Sequence, residues 1–154
     1  MASYATIIVG TDGSESSFRA VERAGKVAGD AGATLLIVSA YMPMSGRESQ
    51  RAADALGEES YKVVGAHPTE DILREAADVA RKAGATKIDQ IAREGDPVDQ
   101  LVAVIDERGA DLCVVGNRGL NSLAGRLLGS VPANISHRAS CDVLIVHTTK
   151  GRGR

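Results

Sequence analysis

Four runs of consecutive apolar residues divide the chain: "TIIVG" at 6–10, "TLLIVSA" at 34–40, "DLCVVG" at 111–116 and "DVLIVHT" at 142–148. Each is rich in β-branched residues and leucine, with little polar alternation. Strands of a parallel sheet covered by helices have this character, because neither of their faces meets water. A weaker run, "KIDQIAREG" at 87–95, alternates more and predicts an edge strand.

Between these runs the apolar period lengthens to that of a helix. After Ser14, Phe18, Val21, Ala24 and Ala28 share one face, and Gly29 and Gly32 close the segment. Thr69 precedes Glu70 and Asp71, acids suited to the positive end of a helix dipole, and Ile72, Leu73, Ala76, Val79, Ala80 and Ala83 form a stripe before Gly84. Asp96-Pro97 sets a capping residue before a proline at the first helical position, and Val98, Leu101, Val102 and Ile105 follow as far as Gly109. A short fourth helix is expected at about 131–139.

Strand and helix alternate and the chain ends on a strand, with crossovers long enough to join parallel neighbours. The expectation is a single doubly wound α/β domain over 1–148, a five-stranded parallel sheet in the order 3-2-1-4-5 with helices on both faces. Residues 149–154 are expected to be a basic, flexible tail. The exception is 42–67, long for a connection and mixed in polarity. It reads as a short helix in an otherwise mobile stretch, a flap over a ligand.

Composition narrows the function classes. A chain of 154 residues can bury a continuous core as one domain. Its formal net charge is −2, and the terminal "KGRGR" is basic, so the body before it is more acidic still. A general nucleic-acid surface is not expected. No apolar run approaches the roughly 20 residues that span a bilayer, and "MASYATIIVGTDGS" lacks the pattern of a signal peptide, so no membrane partner and a cytoplasmic location are expected. Cys113 lies inside an apolar run and Cys141 in a short polar link, which reads as two reduced, mainly structural thiols.

The chemistry concentrates in "GNRGLNSLAGRLLGSV" at 116–131, four glycines in sixteen positions directly after an apolar strand. Ligands of doubly wound sheets collect beyond the carboxyl ends of the strands, where the strand order reverses. With strand one central, that crevice lies between "GTDGS" and "GNRG". Gly116 and Gly119 would let the backbone turn tightly against a flat or anionic group. Gly129-Ser130 stands where the last helix begins, and free N–H groups with a serine hydroxyl at a helix start suit a phosphate.

Gly116, two residues, Gly119, nine residues, then Gly129-Ser130 resembles the nucleotide-binding signature of the universal stress protein family, in its ATP-binding branch. The resemblance runs from Ile7 to Val146, through "IIVGTDGSESSFRAV", "GADLCVVGNRG" and "LLGSVPANISHRASCDVLIV". It implies an adenine nucleotide at the ends of strands one, two and four. Thr11 and Asp12 belong to that site, with Asp12 touching the ribose or a bound cation, and Ala40 lines the adenine slot. Gly116, Asn117, Arg118 and Gly119 wrap the ribose and first phosphate, and Gly129, Ser130 and Val131 hold phosphates further along, with Arg126 a candidate to neutralise them. The ligand that the resemblance implies is ATP, with Mg as an optional companion, or cyclic AMP. The resemblance also implies a homodimer pairing through the last strand, from Asp142 to Thr148, which would cover an edge otherwise open to aggregation.

Pro132 departs from that pattern: proline in the first turn of the phosphate helix supplies no N–H. The grip on a long phosphate tail should weaken more than the grip on one phosphate, and bacterial members similar in this segment bind cyclic AMP. Each site residue has a plainer role open to it: Asp12 could cap the first helix, Ser130 could be an N-cap, Arg118 and Arg126 could be solvated, and Gly95 could merely end a strand. "GRLLGS" has no lysine before its serine and "GTDGS" lacks the dinucleotide spacing. His67, His137 and His147 do not fall at metal-ligand spacing, and no catalytic set is visible. A sensing or buffering nucleotide-binding module, a slow Mg-dependent ATPase and a scaffold with a vestigial pocket remain, the first favoured.

Overall fold

The computed structural model describes residues 4–42, 66–117 and 130–148. Five parallel strands, β1 (Thr6–Gly10), β2 (Thr34–Tyr41), β3 (Lys87–Glu94), β4 (Leu112–Gly116) and β5 (Asp142–Val146), form one sheet in the order β3-β2-β1-β4-β5. Four helices connect them: α1 (Glu15–Ala31), α2 (Ala66–Ala83), α3 (Pro97–Arg108) and α4 (Ser130–Arg138).

Successive side chains of a strand point to opposite faces, and here each face is covered. Ile7, Val9, Leu35, Ile37, Leu112 and Val114 pack with Val21, Ala24, Ala28, Leu73, Ala76 and Ala80 of α1 and α2. Ile8, Leu36, Val38, Cys113 and Val115 pack with Leu101, Val104 and Ile105 of α3 and Val131 and Ile135 of α4. The continuous apolar runs are thus two interleaved sets, one per face. β3 has no such double cover: its residues are exposed or half-buried, as an alternating edge strand requires.

The local end signals hold at α1 and α3. Ser14 is the N-cap of α1, its side chain accepting from Ser17 N, and Gly32 closes the helix in the left-handed conformation at φ 66°. Asp96 caps α3 through Val98 N and Asp99 N, Pro97 follows, and Gly109 ends it at φ 66°. Gly29, expected to help close the first helix, instead lies inside it. A Cβ there would stand 2.5 Å from the Gly84 carbonyl oxygen, and one on Gly25 2.7 Å from that of Ala80. Those glycines let α1 and α2 approach backbone to backbone.

Two other expectations are corrected. α2 already includes Ala66 to Pro68, ahead of Thr69, and Pro68 is tolerated in its first turn, where the N–H that it lacks would have no partner within the helix. Ala66 and His67 therefore belong to a helix, and the rest of the expected flap, 43–65, lies outside the described residues. β5 stops at Val146, and Thr148 turns inward to be buried at 1% exposure. At the amino ends of the strands Asp111 accepts from Ala5 N and Thr6 N at 2.9 and 3.1 Å, tying the entry of β4 to that of β1.

Cys113 is buried and reduced, and burial pushes its thiol up to about 12. Cys141 is half-buried and reduced, its thiol also raised by burial and then by the nearby carboxylates Asp142, Asp111 and Asp106.

Candidate functional site

The strand order reverses at β1, whose neighbours β2 and β4 lead to opposite ends of the sheet. Val9 pairs with Val114 and Gly10 with Val38, so carrying the register forward sets Thr11 level with Gly116 on one side and with Ser39 on the other. The expected residues Thr11, Asp12, Ala40, Gly116 and Asn117 therefore meet at one crest. Ala40 lies near the carboxyl end of β2 and Gly116 ends β4.

The loop after β1 is fixed by hydroxyl groups. Thr11 N donates to Val38 O at 2.9 Å, and Ser39 Oγ donates to Thr11 O at 2.8 Å. Ser17 Oγ spends its proton on Ser14 O, so in the 2.7 Å contact between the two hydroxyls Thr11 is the donor. Thr11 Oγ1 accepts in turn from Gly13 N at 3.1 Å. With 1% exposure and these partners, Thr11 shapes the loop from within. Asp12 Oδ1 accepts from Ser14 N at 2.9 Å, an Asx-type turn that leads into the cap of α1. Helix capping itself falls to Ser14 and not to Asp12.

The turn after β4 is fixed from the carboxyl end of the chain. Asn117 N donates to Val146 O at 2.9 Å. Asn117 Oδ1 accepts from both Thr148 N at 2.9 Å and Thr148 Oγ1 at 3.0 Å. Two donors on the oxygen fix the orientation of the amide, and its Nδ2 lies 3.4 Å from His147 Nδ1. A Cβ on Gly116 would come within 3.0 Å of Thr148 Cγ2. The space left by that glycine on its side-chain side is thus occupied by the protein itself.

On the other flank α4 starts at Ser130. The Val131 side chain is buried in the core beside Ile8, Leu36 and Val38, so what it offers a ligand is its backbone N–H. Pro132 follows in the first turn, where the next N–H would have been. Arg118, Gly119, Arg126 and Gly129 lie outside the described residues. Gly95, at φ 134°, follows the end of β3 with its N–H on Tyr41 O at 2.8 Å.

Ser16, Arg19, Ser39 and Thr148 are polar residues of this crest that reading the sequence did not single out. Ser39 sits inside an apolar run, and Ser16 and Thr148 meet across 132 positions of sequence, so no local spacing announces them. Among the described residues, no group of three or more His, Cys, Asp or Glu side chains is placed to hold a metal ion. No helix among them is long and apolar enough to cross a membrane.

Comparison with known proteins agrees with this fold. The universal stress protein of Mycobacterium tuberculosis Rv1636 is 57% identical over 149 residues, covering 97% of this chain and all of the relative. A crystal structure of a universal stress protein in complex with cAMP superposes with a TM-score of 0.73 at 49% identity, covering 95% of this chain and 98% of the other. The universal stress protein UspA from Lactobacillus plantarum shares the fold with a TM-score of 0.73 at 22% identity, over 95% and 99% of the two chains. The model of the universal stress protein family matches residues 3–147, and this chain belongs to that family.

Proposed function

We propose that this protein binds an adenine nucleotide across the carboxyl ends of β1, β2 and β4, and acts as a sensor or buffer of that nucleotide. The observation that carries the reading is the cAMP held by a structural neighbour 49% identical over nearly the whole chain. The crest here is built for such a ligand: it lies at the reversal of strand order, where α/β sheets receive ligands, and the amino end of α4 faces the same side. Adenine rests beside Ala40, the ribose against Asp12 and the Gly116-Asn117 turn, and phosphate at the N–H groups of Ser130 and Val131. Gly119, Gly129, Arg118 and Arg126 complete the phosphate side in this reading. The ligand pool and the reduced thiols both fit a cytoplasmic setting.

Pro132 sets the preference. A first turn short of one N–H holds a single cyclic phosphate better than a triphosphate tail with its Mg. Two copies pair through β5, an edge strand whose Ile145 is 49% exposed. Calorimetric titration with cyclic AMP and with Mg-ATP tests the reading: cyclic AMP should bind at least as tightly as ATP, and Gly129→Glu should abolish both. Phosphate release from ATP that Gly129→Glu abolishes would establish the slow ATPase instead. Absence of binding by any adenine nucleotide would overturn the proposal.

A further inference from the structure

Thr148 lies beyond the last strand, yet all three of its polar groups are engaged by the elements that frame the crest. Its N–H donates to Asn117 Oδ1, and its carbonyl accepts from Arg19 of α1. Its hydroxyl proton goes to Asn117 Oδ1 at 3.0 Å, so in the 2.6 Å contact with Ser16 the serine is the donor. Its methyl group fills the space beside Gly116. Buried, satisfied polar networks of this kind fix one geometry.

We infer that Thr148 is the positioning residue of the nucleotide-binding turn, a clamp through which the carboxyl end of the chain and the start of α1 set Gly116 and Asn117. The inference rests on the nucleotide reading and adds to it. Asn117 Oδ1 is consumed by Thr148, so the amide meets a ligand as an N–H donor, the polarity a ribose oxygen or phosphate requires. Val146 O holds Asn117 N, so the same clamp joins the turn to β5. A change at the end of the last strand is then felt at the ligand.

Thr148→Val keeps the shape and removes the hydroxyl, Thr148→Ser keeps the hydroxyl, and Ser16→Ala removes only the donor to the Thr148 hydroxyl. Titration with cyclic AMP should show binding weakened about three- to tenfold in Thr148→Val and restored to within about twofold of wild type in Thr148→Ser. Hydrogen exchange, read in the free protein, should quicken at the Asn117 amide in Thr148→Val and at the Asn117 and Thr148 amides in Ser16→Ala while the amides of Ile8 and Leu36 stay protected. Wild-type affinity in Thr148→Val, or equal loss in Thr148→Val and Thr148→Ser, would overturn the inference. If Thr148→Val does not fold, Ser16→Ala decides, and unchanged exchange at Asn117 and Thr148 would overturn the clamp. Should the wild type bind no adenine nucleotide, the nucleotide reading fails while the exchange data still judge the clamp.

Discussion

Gly116 and Thr148 fit together as a missing side chain and the group that takes its place: a Cβ on Gly116 would stand 3.0 Å from Thr148 Cγ2 and 3.3 Å from its Oγ1. The glycine at the head of the sequence signature is therefore favoured by packing within the protein, whatever its backbone offers a ligand in the proposed reading. Gly116→Ala should destabilise the wild type by up to about 1 kcal/mol, because the threonine must yield. With Thr148→Ser already present, the same change should cost less, since the methyl contact is gone and only the 3.3 Å approach to the hydroxyl oxygen remains, while alanine loses less backbone entropy on folding. Denaturant melts of the four proteins give the coupling directly. An equal effect in both backgrounds would show that Thr148 is not the obstacle.

A second glycine tests the helix pair. Gly29→Ala gains roughly 1 kcal/mol of helix propensity, yet its methyl group would press on the Gly84 backbone at 2.5 Å, which no side-chain rotation relieves. A net loss of about 1–3 kcal/mol is expected in chemical denaturation. Stabilisation would mean that α1 and α2 lie further apart than described.

The buried thiol gives the protein an alkaline limit. Cys113 rises from 9.0 to about 12 on folding, so the folded state keeps a proton that the unfolded chain releases. The stability this contributes is whole below pH 9 and falls as pH rises from 9 towards about 12. Stability measured against pH should decline more steeply above pH 9 in the wild type than in Cys113→Ala. The thiol should also resist labelling reagents at neutral pH until the protein unfolds. Rapid labelling of Cys113 in the folded protein would contradict its burial.

What the sequence made legible was local. The apolar runs were strands because five residues of one sign are enough to mark a strand with two covered faces, and Ser14, Asp96-Pro97 and Gly109 marked helix ends because capping acts over three or four residues. Gly29 misled for the same reason: a glycine near a helix end looks like a stop, and only the approach of Gly84, more than fifty positions away, shows its purpose. At the crest, Gly116 could be picked out from the turn chemistry after a strand, and Asp12 and Asn117 from the resemblance to the family. Ser16 and Thr148 could not, since their meeting depends on the sheet bringing β5 beside β4 and over the start of α1.

Amide chemical shifts of the labelled protein titrated with cyclic AMP test most directly the proposed seat of the nucleotide. Changes should concentrate at Thr11, Asp12, Ala40, Gly116, Asn117, Ser130 and Val131. A charged groove of about 500 Å³ between α1 and α2, lined by Glu22, Arg23, Lys26, Val79, Lys82 and Ala83, provides the internal control and should stay unchanged. Changes confined to that groove, with the crest silent at saturating ligand, would contradict the account.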